Sequence, residues 1–308
     1  MEVGLILPLA EDPRLGRAPL WAETRRSAHL AEVVGFDAIW VYDHLLHRFP
    51  GHPEVGFREA WTTLTALAET TSRSGSSLKI GAAVLCAGFR NPAVLAKMAV
   101  TLDEISGGRL ILGLGAGWHE PEFRAFGVPF DHRVSRFEEA LRIIVPLLRG
   151  GRVDFSGTYF TVADTEIRPR GPRPGGPPIV IAAFGPRMLR LAATYAEAWN
   201  TDWLGPLKQV ATQRARVAAA CVEIGRDPAT LAITGGVTVA YPDLGPLPSW
   251  LTHPADGQAL TGSAEAVASG LHGYAEAGVS HALCSVYPHN EAAIRRLGEA
   301  LATFRAAR

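Results

Sequence analysis

The stretch Ala31-Glu-Val-Val-Gly-Phe-Asp-Ala-Ile-Trp-Val-Tyr-Asp-His-Leu45 decides the fold. It opens on the end of an apolar helical pattern. Gly35 stands where such a helix must close on a left-handed residue, a conformation that costs least without a Cβ. Phe36-Asp37 then leads into Ala38 to Tyr42, a short run with no polar alternation, as expected of a strand covered on both faces. Two polar side chains, Asp43 and His44, follow the end of that strand. Helix, left-handed glycine, buried strand and polar tip, in that order, make one turn of a repeating α/β pattern.

Runs of the same kind recur on either side: Val3 to Leu9, Lys79 to Cys86, Leu110 to Leu114, Pro178 to Ala182, Ala198 to Thr201, Leu231 to Val239 and Ala282 to Val286. Longer helical patterns separate them, which predicts a parallel sheet built from βα units. Helix starts are marked by Asn91-Pro92, an N-cap before a first-turn proline, and by Ser135 with Glu138, a capping box. Eight units in 308 residues fit an α/β-class (β/α)8 TIM barrel, typically about 250 residues before insertions. A single domain over residues 1–308 is expected. Two segments exceed the minimal barrel and predict insertions after helix 4 and after strand 7. The first, Gly150 to Pro177, holds a hairpin-like run from Val153 to Phe160 and then a loop from Arg168 whose Pro and Gly content precludes regular structure. The second, Tyr241 to Gly262, is expected to overhang the active face.

Thirty basic and thirty acidic side chains cancel, so no overall charge draws the chain to nucleic acid or to an anionic membrane. No stretch approaches the ~20 apolar residues that span a bilayer, and the start Met-Glu-Val-Gly-Leu lacks the basic flank of a secretory signal. Cys86, Cys221 and Cys284 are too few and too scattered for a disulfide framework or a cysteine-built zinc site. A cytoplasmic protein is expected.

In a barrel the chemistry gathers at the carboxyl ends of the strands. Strand two is followed by Asp43 and His44, a carboxylate beside an imidazole able to hold a proton near neutrality; a structural Asp and a surface His are the alternative. Strand four is followed by Gly113-Leu-Gly-Ala-Gly117-Trp118-His119-Glu120, whose glycines admit close approach of a flat or anionic ligand. As a dinucleotide fingerprint it lacks the third spaced glycine. Strand five is followed by Phe184-Gly185-Pro186, where a helix start exposes amides suited to a phosphate or begins an ordinary helix. Asp202 and Trp203, Tyr241, and Tyr287 with His289 follow the later strands. His119, Glu120 and Glu122 have no metal-binding spacing, so no metal is expected. No Gly-x-Ser-x-Gly elbow points to a hydrolase. Trp40, Trp118, Trp199 and Trp203 recur near strand ends, as cofactor walls or as packing.

Taken together these stretches resemble the bacterial luciferase-like superfamily of flavin- and deazaflavin-dependent oxidoreductases. The likeness is carried by the opening stretch, by Asn91-Pro-Ala-Val-Leu-Ala-Lys97, and by Leu102-Asp-Glu-Ile-Ser-Gly-Gly-Arg-Leu-Ile-Leu-Gly-Leu-Gly-Ala-Gly-Trp118. It continues through Glu122-Phe-Arg-Ala-Phe-Gly127, Phe155-Ser-Gly-Thr-Tyr159 and Pro178-Ile-Val-Ile-Ala-Ala-Phe-Gly-Pro186 to Ala196-Glu-Ala-Trp-Asn200. The Asp-His pair and the Leu-Gly-Ala-Gly-Trp block resemble the branch that uses coenzyme F420, an 8-hydroxy-5-deazaflavin. The resemblance implies His44 near the reactive carbon and Asp43 on the cofactor's polar edge. It also implies a bulge at Ala83-Val84, often with a cis peptide, behind the ring. Ala116, Gly117 and Trp118 would line the ring, and Phe184, Gly185 and Pro186 would receive the tail phosphate. It further implies a homodimer. Trp118 stands where sugar-phosphate dehydrogenases of this branch carry a glutamate, which argues against that substrate. Hydride transfer between F420 and a small organic substrate is the leading expectation. The alternatives are a monooxygenase using FMN reduced by a partner reductase, with molecular oxygen, and a flavin-binding barrel without turnover.

Overall fold

The computed structural model describes residues 1–71, 76–251 and 258–307. Among them, eight parallel strands form an inner ring: β1 Glu2–Ile6, β2 Ala38–Val41, β3 Lys79–Ala82, β4 Leu110–Gly115, β5 Ile179–Ala182, β6 Ala198–Trp203, β7 Ala232–Ala240 and β8 His281–Tyr287. Each pairs with its successor, β4 joins β5 through Leu112 and Ile179, and β8 returns to β1 through His281 and Glu2. The sheet therefore closes as a barrel with no free edge. The TIM-barrel expectation is met.

The strands are followed in turn by α1 Trp21–Val33, α2 Ala60–Thr70, α3 Pro92–Ile105, α4 Arg133–Leu148, α5 Pro186–Tyr195, α6 Leu207–Glu223, α7 Ala264–Glu276 and α8 Glu291–Ala306. Asn91 caps α3 by accepting from the Ala93 and Val94 amides, and Gly35 closes α1 at φ +90°. Ser135 and Glu138 do not form the expected capping box. Left-handed His132 starts α4 at Arg133, placing both residues inside the helix, where they accept from the Arg187 guanidinium instead. No helix among the described residues is long and apolar enough to cross a membrane.

The insertion after α4 is an antiparallel hairpin of Arg152–Ser156 with Thr161–Glu166. The one after β7 carries short 3-10 turns at Pro242–Leu244 and Ser249–Leu251. Its stretch 252–257 lies outside the described residues.

The lower half of the ring is plugged by Trp40, which is 1% exposed. A Cβ on Gly4 or Gly81 would stand 2.4 or 2.6 Å from the Trp40 indole, so glycines on the flanking strands make room for it. The indole Nε1 donates to His281 Nε2 at 3.4 Å, and His281 Nδ1 faces Glu2 at 3.3 Å. With the amino-terminal end filled in this way, open volume remains at the carboxyl end.

Candidate active site

There a cavity of about 1150 Å³ opens, beyond the ~300–1,000 Å³ usual for one small ligand. Asp43, His44, Ala83, Val84, Ala116, Gly117, Trp118, Phe184 and Gly185 all line it. They reach it from the ends of β2, β3, β4 and β5. Pro186 is not in the wall; it is the first residue of α5 and fixes where that helix begins. Leu247, Pro248 and Trp250 of the late insertion line the cavity too, so the described part of that excursion does overhang the active face.

His44 is held by a residue that sequence reasoning weighed only as a metal ligand. Glu122, on the short helix Glu120–Ala125 after β4, places its carboxylate oxygens 3.1 and 3.3 Å from His44 Nδ1 and accepts the Leu45 amide at 2.9 Å. Burial alone would raise its pKa, but the bonds from His44 and the Leu45 amide outweigh burial and hold it below the ordinary range. An ionised carboxylate only accepts, so Nδ1 carries the hydrogen and Nε2 is the nitrogen left to the cavity. The neighbours of Glu122 turn elsewhere: His119 Nε2 accepts the Arg48 amide at 2.9 Å, and Glu120 meets Arg124. The signal for Glu122 was its place in the first turn of the short helix after β4, two residues beyond the strand-end stretch that closes at Glu120.

Asp43 has no exposed side-chain surface. Its oxygens accept from Arg90 Nη1 at 2.7 Å, Arg90 Nη2 at 3.0 Å and the Cys86 amide at 2.8 Å. Arg90 also reaches Glu59 at 2.6 Å. Burial opposes the Arg90 charge, yet the two carboxylates raise its pKa above the ordinary value. Cys86 is pushed up to about 12 by burial and then by Asp43, which leaves it an unreactive thiol. The network ties the end of β2 to the segment after β3.

That segment is where β3 breaks. The Ala83–Val84 peptide is cis, and the chain resumes as Leu85–Cys86 beside Leu114 and Gly115. A Cβ on Gly113 would lie 2.0 Å from the Ala82 carbonyl oxygen, and one on Gly115 would lie 2.8 Å from Val84. These two glycines, expected to admit a ligand, admit the displaced backbone and Val84. Gly117, at φ +75°, turns the chain against Phe123 and Cys86.

Of the tryptophans, Trp40 and Trp199 are core; Trp199 Nε1 donates to the Ala183 carbonyl at 2.8 Å. Trp118 and Trp203 line the cavity. Trp118 meets His44 edge-on at 5.6 Å between ring centres, and His47 packs against His44 at 4.3 Å. Burial pushes His47 down to about 4, so it stays neutral beside His44 at physiological pH. Asp202 and Trp203 belong to β6 itself, which runs past its apolar part.

The family model described as luciferase-like monooxygenase matches residues 1–243. A phthiodiolone/phenolphthiodiolone dimycocerosates ketoreductase of Mycobacterium kansasii is 35% identical over 240 residues, covering 71% of this chain and 64% of that protein. A 5,10-methylenetetrahydromethanopterin reductase of Methanolobus tindarius is 32% identical over 201 residues, 65% of this chain and 56% of that protein. The matches thus span less than two thirds of these relatives' own lengths. A solved F420-dependent secondary alcohol dehydrogenase in complex with an F420–acetone adduct superposes with a TM-score of 0.79 over 99% of both chains, at 19% identity. At that identity the likeness is one of fold.

Proposed function

The chain belongs to the luciferase-like monooxygenase family, and on that premise we propose an oxidoreductase that passes a hydride between coenzyme F420 and a small organic substrate. One observation carries this reading. His44, the Ala83-Val84 bulge, the Ala116-Gly117-Trp118 turn and the Phe184-Gly185 lead into α5 come from four different strand ends and line one cavity.

The wall suits such a cofactor. Nothing lies within 4 Å of a Cβ built on Gly185; Pro186 has no N–H, so a phosphate there would be received by the Arg187 and Met188 amides at the positive end of the helix. Val84, packed against Gly113 and Gly115 of β4, would press on one face of a flat ring held in the cavity, and Trp118 and Ala116, in the same lining, would border it. The volume leaves room for a second molecule. When bound, the deazaflavin supplies the hydride-carrying carbon. The protein then has to exclude water, align the two partners and manage a proton, and positioning supplies much of the barrier reduction. His44 Nε2 is the proton-handling atom; Glu122 fixes its tautomer and ring orientation. Asp43 acts at one remove, through Arg90 and the Cys86 amide, by holding the bulge against the end of β2.

On the same reading residues 1–308 form one domain, and the enzyme works in the cytoplasm as a homodimer. Fluorescence titration of the apo-protein with F420 and with FMN tests the proposal. Saturable micromolar binding of F420 at one per chain is expected. Binding of FMN alone would replace it with the monooxygenase reading, in which a partner reductase supplies the reduced flavin and molecular oxygen is the co-substrate. Binding without turnover on any substrate would favour a carrier.

A further inference from the structure

The residues assigned to the cofactor come from β2 to β5. The opposite arc of the cavity, formed by the ends of β6, β8 and β1 and by the late insertion, has a different chemistry. Asp202 stands in it at φ +63°, its amide accepted by Asn200 Oδ1 at 2.9 Å, and among the described residues its carboxylate makes no hydrogen bond or ion pair. Trp203 follows it in the chain, and Trp250 and Tyr287 meet edge-to-face at 5.5 Å in the same wall. The arginine on this arc, Arg14, is neutralised by Asp12, with contacts at 3.0 and 2.6 Å. His289 is pushed down to about 4 by burial and contributes no charge near neutrality.

We propose that this arc binds the substrate through a positively charged nitrogen: the substrate class is an ammonium-bearing organic molecule with an apolar body. A substrate settling over Asp202 strips water from its carboxylate. A neutral alcohol or ketone returns nothing for that loss, an anion adds repulsion, and an ammonium group replaces the water with an opposite charge. Aromatic faces attract the same cation. The inference deepens the reading above, resting on the β2–β5 arc being the cofactor's.

The test uses apo-protein and three probes of one shape: benzylamine, benzyl alcohol and benzoate, followed by quenching of tryptophan emission at neutral pH and low salt. Benzylamine is expected to bind at least about tenfold more tightly than benzyl alcohol, as a carboxylate with aromatic faces affords, with benzoate weakest. Asp202→Asn should erase the preference and leave F420 affinity unchanged. Equal or tighter binding of benzyl alcohol by the wild-type chain, a comparison that needs no variant, overturns the proposal. So does an ammonium preference that survives in Asp202→Asn. If F420 fails to bind while the ammonium preference holds, the cofactor reading falls and the cation site stands.

Discussion

Asp43→Asn separates holding the active-site wall from touching the cofactor. The substitution keeps the shape of the side chain and removes its charge. Among the described residues, Arg90, whose side chain is 12% exposed, then retains only the half-exposed Glu59 as an ionic partner. Breaking a buried pair from one side costs about 3–5 kcal/mol, and the remaining Glu59 contact puts the loss near the lower end. For a chain of this length that is a fall in Tm of roughly 5 °C, read from the unfolding entropy per residue. Calorimetry on wild type and variant measures it, and an F420 titration at 10 °C, where both are folded, measures the site. A lower Tm with affinity within a few fold of wild type is expected. An unchanged Tm with affinity lowered by two orders of magnitude would refute the reasoning and make Asp43 a direct cofactor ligand.

Gly113→Ala drives a methyl group into the Ala82 carbonyl; a loss of about 1–3 kcal/mol and weaker F420 binding should follow in urea unfolding and titration, and a neutral effect would mean that the bulge is not locked there. Glu122→Gln replaces an acceptor-only carboxylate with an amide whose NH2 can donate to a bare Nδ1, so the His44 hydrogen is no longer confined to Nδ1 and imidazole nitrogen chemical shifts should change from one tautomer to a mixture; identical spectra would deny Glu122 its positioning role. His281 is pushed down to about 4 by burial, so as pH falls below the ordinary 6.5 the unfolded chain takes the proton first. Stability should be fully present above 6.5 and decline toward pH 4 by up to roughly 3 kcal/mol. His281→Gln should flatten part of that slope in urea midpoints.

The barrel was legible because its strands are unbroken apolar runs and because Gly35 and Asn91-Pro92 mark helix ends by local chemistry alone. The strand-end rule then placed His44, Trp118 and Gly185 on one rim. What escaped notice depends on pairs distant in sequence. Glu122 meets a residue 78 positions away, and the Arg90–Asp43 pair forms only once β2 and β3 lie side by side. The glycines after β4 were visible, but their use was not, since it depends on the break in the neighbouring strand. Asp202 looked like a loop residue because the end of β6 at the cavity is polar; it sits in the register shift between Asn200 and Trp203, and only the pairing of Trp203 with Gly236 carries β6 past it.

The most direct measurement is a crystal structure of the chain with F420. The expected result has the deazaflavin ring between Val84 and the His44 imidazole, with its phosphate on the amides that follow Gly185. A ring seated against Trp203 and Tyr287 instead, with the start of α5 empty, would contradict the placement on which the enzyme's chemistry depends.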